Sequence, residues 1–384
     1  TRYWRDWSSD VCSSDLMKSL EKDFGYKYLE ILDEIKHTDM KKNLNAEYLR
    51  QLRKFLRSKV RVAKIILAIN SRAVSVIRYG AGIVDWTREE LDVLDRKTRK
   101  LMTMHGAHHP NADIDRLYMK RSSGGRGLIG VKDCVDIERK NLIDYVNDSH
   151  ENLLKAVKKE NVLKSGKGER SKEQVQDDHI VARNCKALHS QFEKATEELR
   201  GQRTWDWLKK GSLKKETESV IIAAQDQAIS TNNIRKNVYK EDISSMCRMC
   251  GKSEETIAHI INECPDLAQN EYKKWRHDQV AKILHWKLCE KWEFERGKTW
   301  YSHNPEKVLE SDECKILWDF SIQTDKRLEH NRPDIVVFDK ANRKVVIIDP
   351  SCPFDTRIRE KEKEKLDNYN QLKYELVRLW KLKK

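Results

Sequence analysis

The chain has 384 residues, enough for two or three domains, and it is polar, with 38% hydrophobic and 36% charged residues. Lys and Arg number 76 against 62 acidic residues, a net charge of +14. Such an excess suits a polyanionic partner, because basic side chains release counterions from phosphates, although an ordinary solvated surface is the alternative. No apolar run approaches the roughly 18–20 residues that span a bilayer, so we expect no membrane partner.

The N-terminal stretch TRYWRDWSSDVCSSDL, residues 1–16, lacks the continuous apolar core of a secretory signal. It looks like translated sequencing-adaptor read-through, and we exclude it from reasoning about the fold. Nine cysteines are an odd number, and without a signal peptide we expect reduced thiols in the nucleus or cytoplasm. Cysteines without a recognisable pattern are Cys12, Cys134, Cys185, Cys289 and Cys314.

The first predicted elements are a short strand or hairpin edge at residues 24–32 and a helix from Ala46 onward. Apolar residues then recur every three or four positions, which predicts one buried helix face. That face comprises Leu49, Leu52, Leu56, Val60, Ala63 and Leu67. A basic stripe runs beside it, formed by Arg50, Arg53, Arg57, Arg61 and Lys64. We interpret this stripe as a candidate nucleic-acid contact, with a solvated helix face as the alternative.

A second helix is predicted to begin at Thr87, because Thr87 and Glu90 form a capping box. Trp86 precedes it and can pack on Leu91. The buried side is predicted to comprise Leu91, Leu94, Thr98 and Leu101.

The middle of the chain offers weaker signals. His105, His108 and His109 lie in a loop without metal-ligand spacing, so we expect no metal there. SSGGRGLIG, residues 122–130, lacks the ending of a phosphate loop and indicates a turn before another helix. Residues 164–174 are the best linker candidate, and residues 201–246 read as helical, with Trp205 and Trp207 as packing residues.

The strongest motif is CRMCGKSEETIAHIINECP at residues 247–265. A Cys-x2-Cys knuckle can point two thiolates at one ion, and a short helix can present the histidine. Three thiolates and one imidazole suit tetrahedral zinc and leave no open position, which indicates a structural site. The predicted ligands are Cys247, Cys250, His259 and Cys264.

A hairpin is predicted in RPDIVVFDKANRKVVIIDP, residues 332–350, with its turn at Ala341 and Asn342. This register places Asp334 and Asp349 directly opposite each other on one face. Opposed carboxylates are unfavourable unless a positive charge lies between them, and Mg²⁺ is the natural candidate. The alternative is two solvent-exposed residues at strand ends.

The segment REKEKEKLDNYNQLKYEL that follows is predicted to be helical, with Leu366, Tyr369, Leu372 and Leu376 on one side. One of Lys361, Lys363 and Lys365 can reach back toward the two carboxylates. A lysine in that place can stabilise a developing phosphorane or orient the attacking water.

In this order, the basic helices, the cysteine–histidine cluster and the Pro-Asp…Asp…Lys pattern resemble the C-terminal half of a non-LTR retrotransposon polyprotein with a restriction-like endonuclease. The resemblance covers nearly all of residues 17–384 and implies an α+β architecture. That architecture has a mainly helical thumb and linker, a zinc module and a truncated α/β endonuclease domain of the PD-(D/E)xK class. The implied ranges are 17–150 for the palm exit and thumb, 151–246 for a charged helical linker region, 247–290 for the zinc module with its following helix, and 291–384 for the endonuclease.

The resemblance implies structural zinc, catalytic Mg²⁺, DNA and RNA as partners, and a nuclear site of action. It assigns catalysis to Asp334, Asp349 and Lys365. Three departures matter. First, Ser351 stands where the short nuclease motif has lysine. Second, no Tyr-x-Asp-Asp polymerase motif is present. Third, a further strand is expected after LWKLKK, so the chain looks like a fragment at both ends.

We therefore expect nucleic-acid binding and metal-dependent DNA nicking, without polymerase activity in this chain. A non-catalytic zinc-containing nucleic-acid-binding remnant is the alternative, and a helical scaffold unrelated to nucleic acid is a third reading.

Overall fold

A computed structural model of the chain describes residues 26–28, 31–33, 38–159, 170–196 and 204–382. The leader at 1–16 and the first part of the linker candidate, up to residue 169, lie outside these residues. The described protein is mixed α/β and mostly helical, as expected, with a two-stranded hairpin and one four-stranded antiparallel sheet. It divides into two compact units, one within Thr1–Glu193 and Arg200–Ala228 and the other within Lys194–Leu199 and Ile229–Lys384.

The strands of the two-stranded hairpin and of the sheet are β1 Tyr26–Tyr28, β2 Ile31–Asp33, β3 Val308–Glu310, β4 Cys314–Trp318, β5 Ile335–Asp339 and β6 Lys344–Ile348. The helices up to the end of the first unit are α1 Thr38–Leu56, α2 Val62–Ala68, α3 Val74–Gly80, α4 Arg88–Met104, α5 Ile114–Tyr118, α6 Val131–Asp148, α7 Asn152–Lys159, α8 Lys172–Asn184, α9 Gln191–Thr196, α10 Asp206–Lys210 and α11 Lys215–Gln225. The later helices are α12 Asn232–Asn237, α13 Pro265–Leu267, α14 Asp278–Lys291 and α15 Ile358–Leu379.

The hairpin expected at residues 24–32 is present, because β1 and β2 pair antiparallel. The helix expected at Thr87 is also confirmed. The Thr87 side chain accepts from the Glu90 backbone and the Glu90 carboxylate accepts from the Thr87 backbone, which completes the capping box. Trp86 and Leu91 are both buried in the core of the first unit, as expected for a hydrophobic staple.

The single helix predicted from Ala46 to Leu67 is wrong, because α1 ends at Leu56 and α2 begins at Val62. Lys215 donates to the Leu56 carbonyl at 2.7 Å, so a tertiary contact satisfies one of the last carbonyls of α1. The break changes the helical phase. Val60 and Leu67, predicted as core residues, are 53% and 58% exposed. The residues buried beyond the break are Val62, Ile65, Ile66 and Ile69.

The sheet of the second unit has the order β3-β4-β5-β6, with every neighbouring pair antiparallel. Because side chains alternate along a strand, the two faces carry different residues. One face packs Leu317 and Val336 against Leu372 and Leu376 of α15. The other packs Ile316, Ile335 and Val337, with Leu284 and Leu288 of α14 against them. The sheet thus lies between α14 and α15.

Candidate functional site

The hairpin formed by β5 and β6 has the register expected from the sequence. Ile335 pairs with Ile348 and Asp339 with Lys344, so the turn is centred between Ala341 and Asn342. One step beyond the first pair, the same register sets Asp334 opposite Asp349. Both positions share the parity of Val336 and Ile347, whose side chains lie on the face that α15 covers. The two aspartates therefore lie on the face of the sheet that α15 covers.

Two side chains of α15 contact Asp349. The Lys365 ammonium donates to Asp349 Oδ1 at 2.6 Å, and the Tyr369 hydroxyl donates to Asp349 Oδ2. Residues four apart lie one above the other on a helix face, so Lys365 and Tyr369 reach the same carboxylate from consecutive turns. The side chain of Asp349 is 8% exposed.

Of the three lysines left open by the sequence, Lys365 is the one that reaches the carboxylates. Lys361 pairs with Glu364 on its own helix, and Lys363 is exposed. The predicted apolar side of this helix needs one correction, because Leu366 is 68% exposed while Leu372 and Leu376 are buried. The helix turns its Lys365 and Tyr369 side toward Asp349, which leaves Leu366 in solvent.

Asp334 meets a residue that the sequence did not single out, His277. His277 Nε2 lies 3.1 Å from Asp334 Oδ2, but the two groups are not aligned as a hydrogen bond, and this buried oxygen has no hydrogen-bond partner among the described residues. His277 is the last residue of a π-helical segment, Ala268–His277, that runs directly into α14. It also contacts Asp278 at 3.0 Å.

The two carboxyl groups titrate differently because their partners differ. Burial raises the pKa of Asp334, and the neighbouring Asp349 adds to this, against the opposing effect of His277. Burial also disfavours ionisation of Asp349, but the contacts with Lys365 and Tyr369 outweigh it and lower the pKa. The contact with Asp334 raises the pKa of His277 to about 9 despite partial burial. A protonated His277 thus supplies positive charge beside Asp334.

The residues present fit a divalent cation. One ligand atom each from His277, Asp334 and Asp349 lies within 4.8 Å of the others, and Asp334 Oδ2 is buried with its lone pairs free of hydrogen bonds within the described chain. Carboxylate oxygens are the ligands that Mg²⁺ prefers. A cavity of about 1690 Å³ is lined by Asp349, Lys365 and Tyr369. It gives solvent access to Asp349 at this end of strand β6.

The four residues of the cysteine–histidine motif also come together and can hold a metal ion such as zinc. One donor atom from each lies within 4.8 Å of the others, with Cys247 and Cys264 sulfurs 4.0 Å apart and Cys250 Sγ 3.3 Å from His259 Nε2. Cys247, His259 and Cys264 are buried. A donor set of three sulfurs and one imidazole nitrogen suits tetrahedral zinc.

Local hydrogen bonds form the knuckle that carries the first two cysteines. The Cys247 N–H donates to the Ser253 carbonyl at 2.7 Å, and the Gly251 N–H donates to the Cys247 carbonyl at 2.8 Å. Gly251 has φ of +63°, a left-handed conformation that glycine adopts without strain. The Lys252 backbone, which hydrogen-bonds Cys250, lowers the pKa of that thiol. A lowered pKa favours the thiolate form that binds metal.

The predicted helical turn presents His259, and Pro265 begins α13 directly after Cys264. Tyr272 stabilises this half of the motif. Its hydroxyl donates to the Ile260 carbonyl at 2.6 Å and accepts from the Cys264 N–H at 3.3 Å.

The predicted basic stripe is divided by the break after α1. Arg50, Arg53 and Arg57 lie together and line a shallow groove with Lys54, whereas Arg61 and Lys64 lie beyond the break. All five residues of the stripe are exposed. Arg50 is held by Glu47, which it contacts at 2.6 Å and 2.7 Å. In the part of the chain that the structure describes, neither Arg53 nor Arg57 has a carboxylate within ion-pair distance.

Sequence reasoning missed His277 and Tyr369. Tyr369 stands four residues after Lys365, so helical spacing could have found it once that lysine was chosen. His277 is 57 positions before Asp334, and its role depends on the packing of α14 against the sheet, for which no local signal exists.

No protein-family model matches the chain, and no curated protein is significantly similar to it.

Among the described residues, no helix is long and apolar enough to cross a membrane.

Proposed function

We propose that the C-terminal part of the second unit is a metal-dependent DNA endonuclease with a PD-(D/E)xK-like fold, preceded within the same unit by a structural zinc module. One observation carries this proposal: Asp334 and Asp349 face each other at the open end of the β5–β6 hairpin, and Lys365 is bound to Asp349. A buried oxygen of Asp334 accepts no hydrogen bond from the described residues and lies 3.1 Å from His277. Nothing in the packing of a hairpin requires two opposed carboxylates there, because like charges directly opposite destabilise a sheet.

Each residue has a role in this proposal. Asp334 and Asp349 hold a magnesium ion, and His277 either joins them as a third ligand or keeps its proton as a counter-charge. The bound ion supplies Lewis-acid polarisation of the scissile phosphate. Lys365 lies 2.6 Å from Asp349, where its ammonium can orient the attacking water or stabilise the negative charge that builds on phosphorus. Tyr369 fixes the orientation of the Asp349 carboxylate.

We further propose, from the motif order, that the chain derives from the C-terminal half of a non-LTR retrotransposon polyprotein that acts in the nucleus. In such a protein the nick frees a 3′ end that primes reverse transcription. The basic residues of the first unit would contact DNA or RNA, and the Tyr-x-Asp-Asp polymerase motif is absent from this sequence.

The test is nicking of supercoiled plasmid with Mg²⁺ by the full chain, compared with Asp349→Asn and Lys365→Gln. Both variants are expected to lose nicking by at least about 100-fold, since each removes a group that acts on transition-state charge. Asp312→Asn is the matched control, because Asp312 is an exposed carboxylate in the turn between β3 and β4. Equal nicking by wild type and Asp349→Asn, or none by either, contradicts an endonuclease.

One observation favours a second candidate, a non-catalytic nucleic-acid-binding protein. Asp349 already has two partners within the chain, Lys365 and Tyr369, so its carboxylate is satisfied without a metal. In that case the chain binds DNA or RNA with a steep salt dependence, and Mg²⁺ changes neither binding nor the plasmid.

A further inference from the structure

A second group of metal-binding side chains lies inside the unit that carries the hairpin, away from the residues assigned so far. His285 and Cys289 stand four residues apart on α14, so helical spacing places them on the same face. His303 reaches them from the segment between α14 and β3. His285 and Cys289 are fully buried and His303 is 4% exposed.

The donor atoms of the three side chains converge. His285 Nδ1 lies 2.8 Å from His303 Nε2 and 3.5 Å from Cys289 Sγ, and one donor atom from each residue lies within 4.8 Å of the others. A tetrahedral zinc ion holds nitrogen and sulfur ligands about 3.2–3.8 Å apart, as follows from bond lengths of about 2.0–2.3 Å. Small shifts of these side chains are therefore enough to admit an ion.

The donor set suits metal binding. Zinc binds the neutral form of an imidazole and the deprotonated form of a thiol, so the thiolate charge of Cys289 would offset part of the charge of the ion.

An apolar core explains this cluster poorly. The surrounding side chains of α14 and the sheet are hydrophobic, among them Leu288, Trp292 and Ile316. His285 Nε2 is buried and has no hydrogen-bond partner among the described residues, a cost that two aliphatic side chains in place of the histidines would avoid. The simple alternative is a hydrogen-bonded histidine pair, which uses Nδ1 of His285 and Nε2 of His303 and leaves the thiol as packing.

The position of the cluster gives it a structural purpose. No helix or strand lies between Lys291, where α14 ends, and Val308, where β3 begins. His303 lies in that segment, so an ion bound to all three residues would fasten it to α14, whose Leu284 and Leu288 pack on the sheet. Three protein donors leave the fourth position of a tetrahedral ion open to a water molecule.

We propose that His285, Cys289 and His303 bind a second zinc ion. The site is independent of the Cys247–Cys264 motif and of the endonuclease assignment, because it shares no residue with either. Its donor set of two imidazoles and one thiolate differs from the three thiolates and one imidazole of the first motif. That difference makes the two sites distinguishable by spectroscopy.

The experiment measures zinc per chain in the full-length protein, purified with zinc and dialysed against metal-free buffer. Wild type is expected to hold about two zinc ions, and His303→Gln and the double variant Cys247→Ser/Cys250→Ser about one each, since each leaves only two protein ligands at one of the two sites. His303→Cys, which keeps a zinc-binding side chain, should restore the count to about two. His330→Gln is the matched control, because His330 is exposed.

Cobalt substitution provides a second readout, the number of sulfur ligands on the ion. In Cys247→Ser/Cys250→Ser the remaining Co²⁺ should give the weak thiolate-to-metal band of a single sulfur ligand from Cys289 together with the bands of its imidazole ligands, and His303→Gln added to this variant should abolish cobalt binding at that site. Far-ultraviolet circular dichroism confirms that each variant is folded. One zinc in wild type, unchanged in His303→Gln and lost in Cys247→Ser/Cys250→Ser, overturns the proposal and leaves a hydrogen-bonded histidine pair.

Discussion

Several of the buried charged side chains of the first unit have a partner of opposite charge. Arg116 contacts Asp226 at 2.7 Å and Arg126 contacts Glu218 at 3.0 Å, with all four side chains at most 1% exposed. Breaking such a pair by removing one partner leaves an uncompensated charge and costs about 3–5 kcal/mol. Substitution of one member of either pair is therefore expected to lower the stability of the first unit strongly.

His179 gives a pH-dependent prediction at this scale. Its ring lies 2.8 Å from Asp115 and 3.0 Å from Asp133. Burial opposes protonation, but the two carboxylates outweigh it and raise the pKa to about 9, with Lys186 and Arg170 also bound to those carboxylates. A pKa above the ordinary 6.5 means that the contribution to stability is full below pH 6.5 and is lost as the pH rises through about 9.

We therefore expect His179→Gln to lower the melting temperature more at pH 6 than at pH 10, measured by differential scanning fluorimetry. His150→Gln is the control, since His150 is exposed, and its small effect should not vary with pH in this way. A difference that stays constant between pH 6 and pH 10 would mean that His179 is not charged in the folded protein.

At the scale of elements, the hairpin and the capped helix α4 follow from local signals, and both were predicted from the sequence. The register that pairs Asp334 with Asp349 needs only the period of two and a central turn. β3 and β4 were not predicted. β3 has only three residues, too few for a sequence pattern, and it is a strand because it pairs with β4. The helix break at Leu56 was also missed because it involves a distant residue. The side chain that binds the Leu56 carbonyl belongs to Lys215, which stands 159 positions later in the sequence.

The packing of α15 on the sheet gives an element-scale prediction. Leu372 is fully buried against Leu317 and Val336, so Leu372→Ala should destabilise the second unit by about 2–5 kcal/mol. Leu366→Ala, on the same helix but 68% exposed, should change stability by no more than about 0.5 kcal/mol. Hydrogen exchange of the β5 amides measures both. Equal effects of the two variants would show that α15 does not cover the sheet with its Leu372 side.

At the scale of the whole molecule, the net charge of +14 predicts salt-dependent binding to nucleic acid. Arg53, on α1, and Arg57, directly after it, are exposed and have no ion-pair partner in the described parts of the chain, so they are available to phosphates. Replacing both by Gln should lower affinity for duplex DNA and reduce the slope of log K against log salt by about 1.8, or 0.9 per phosphate contact.

The control for this measurement is Lys42→Gln, because Lys42 is exposed on the same helix and pairs with Asp39 at 3.0 Å. Fluorescence anisotropy over a range of salt concentrations gives both slopes. If the double variant keeps the wild-type slope while Lys42→Gln does the same, neither Arg53 nor Arg57 contacts phosphate.

The hydroxyl of Tyr272 contacts the backbone at Ile260 and Cys264, within the zinc motif, and Tyr272 belongs to the same π-helical segment that ends at His277. Oxidation of the motif's thiols converts metal ligands into sulfenic acids or disulfides, and the ion is then released. The segment would lose its anchor at one end, and the position of His277 beside Asp334 would loosen. Peroxide is therefore expected to disturb the proposed metal site at His277, Asp334 and Asp349, although none of these three residues is a cysteine.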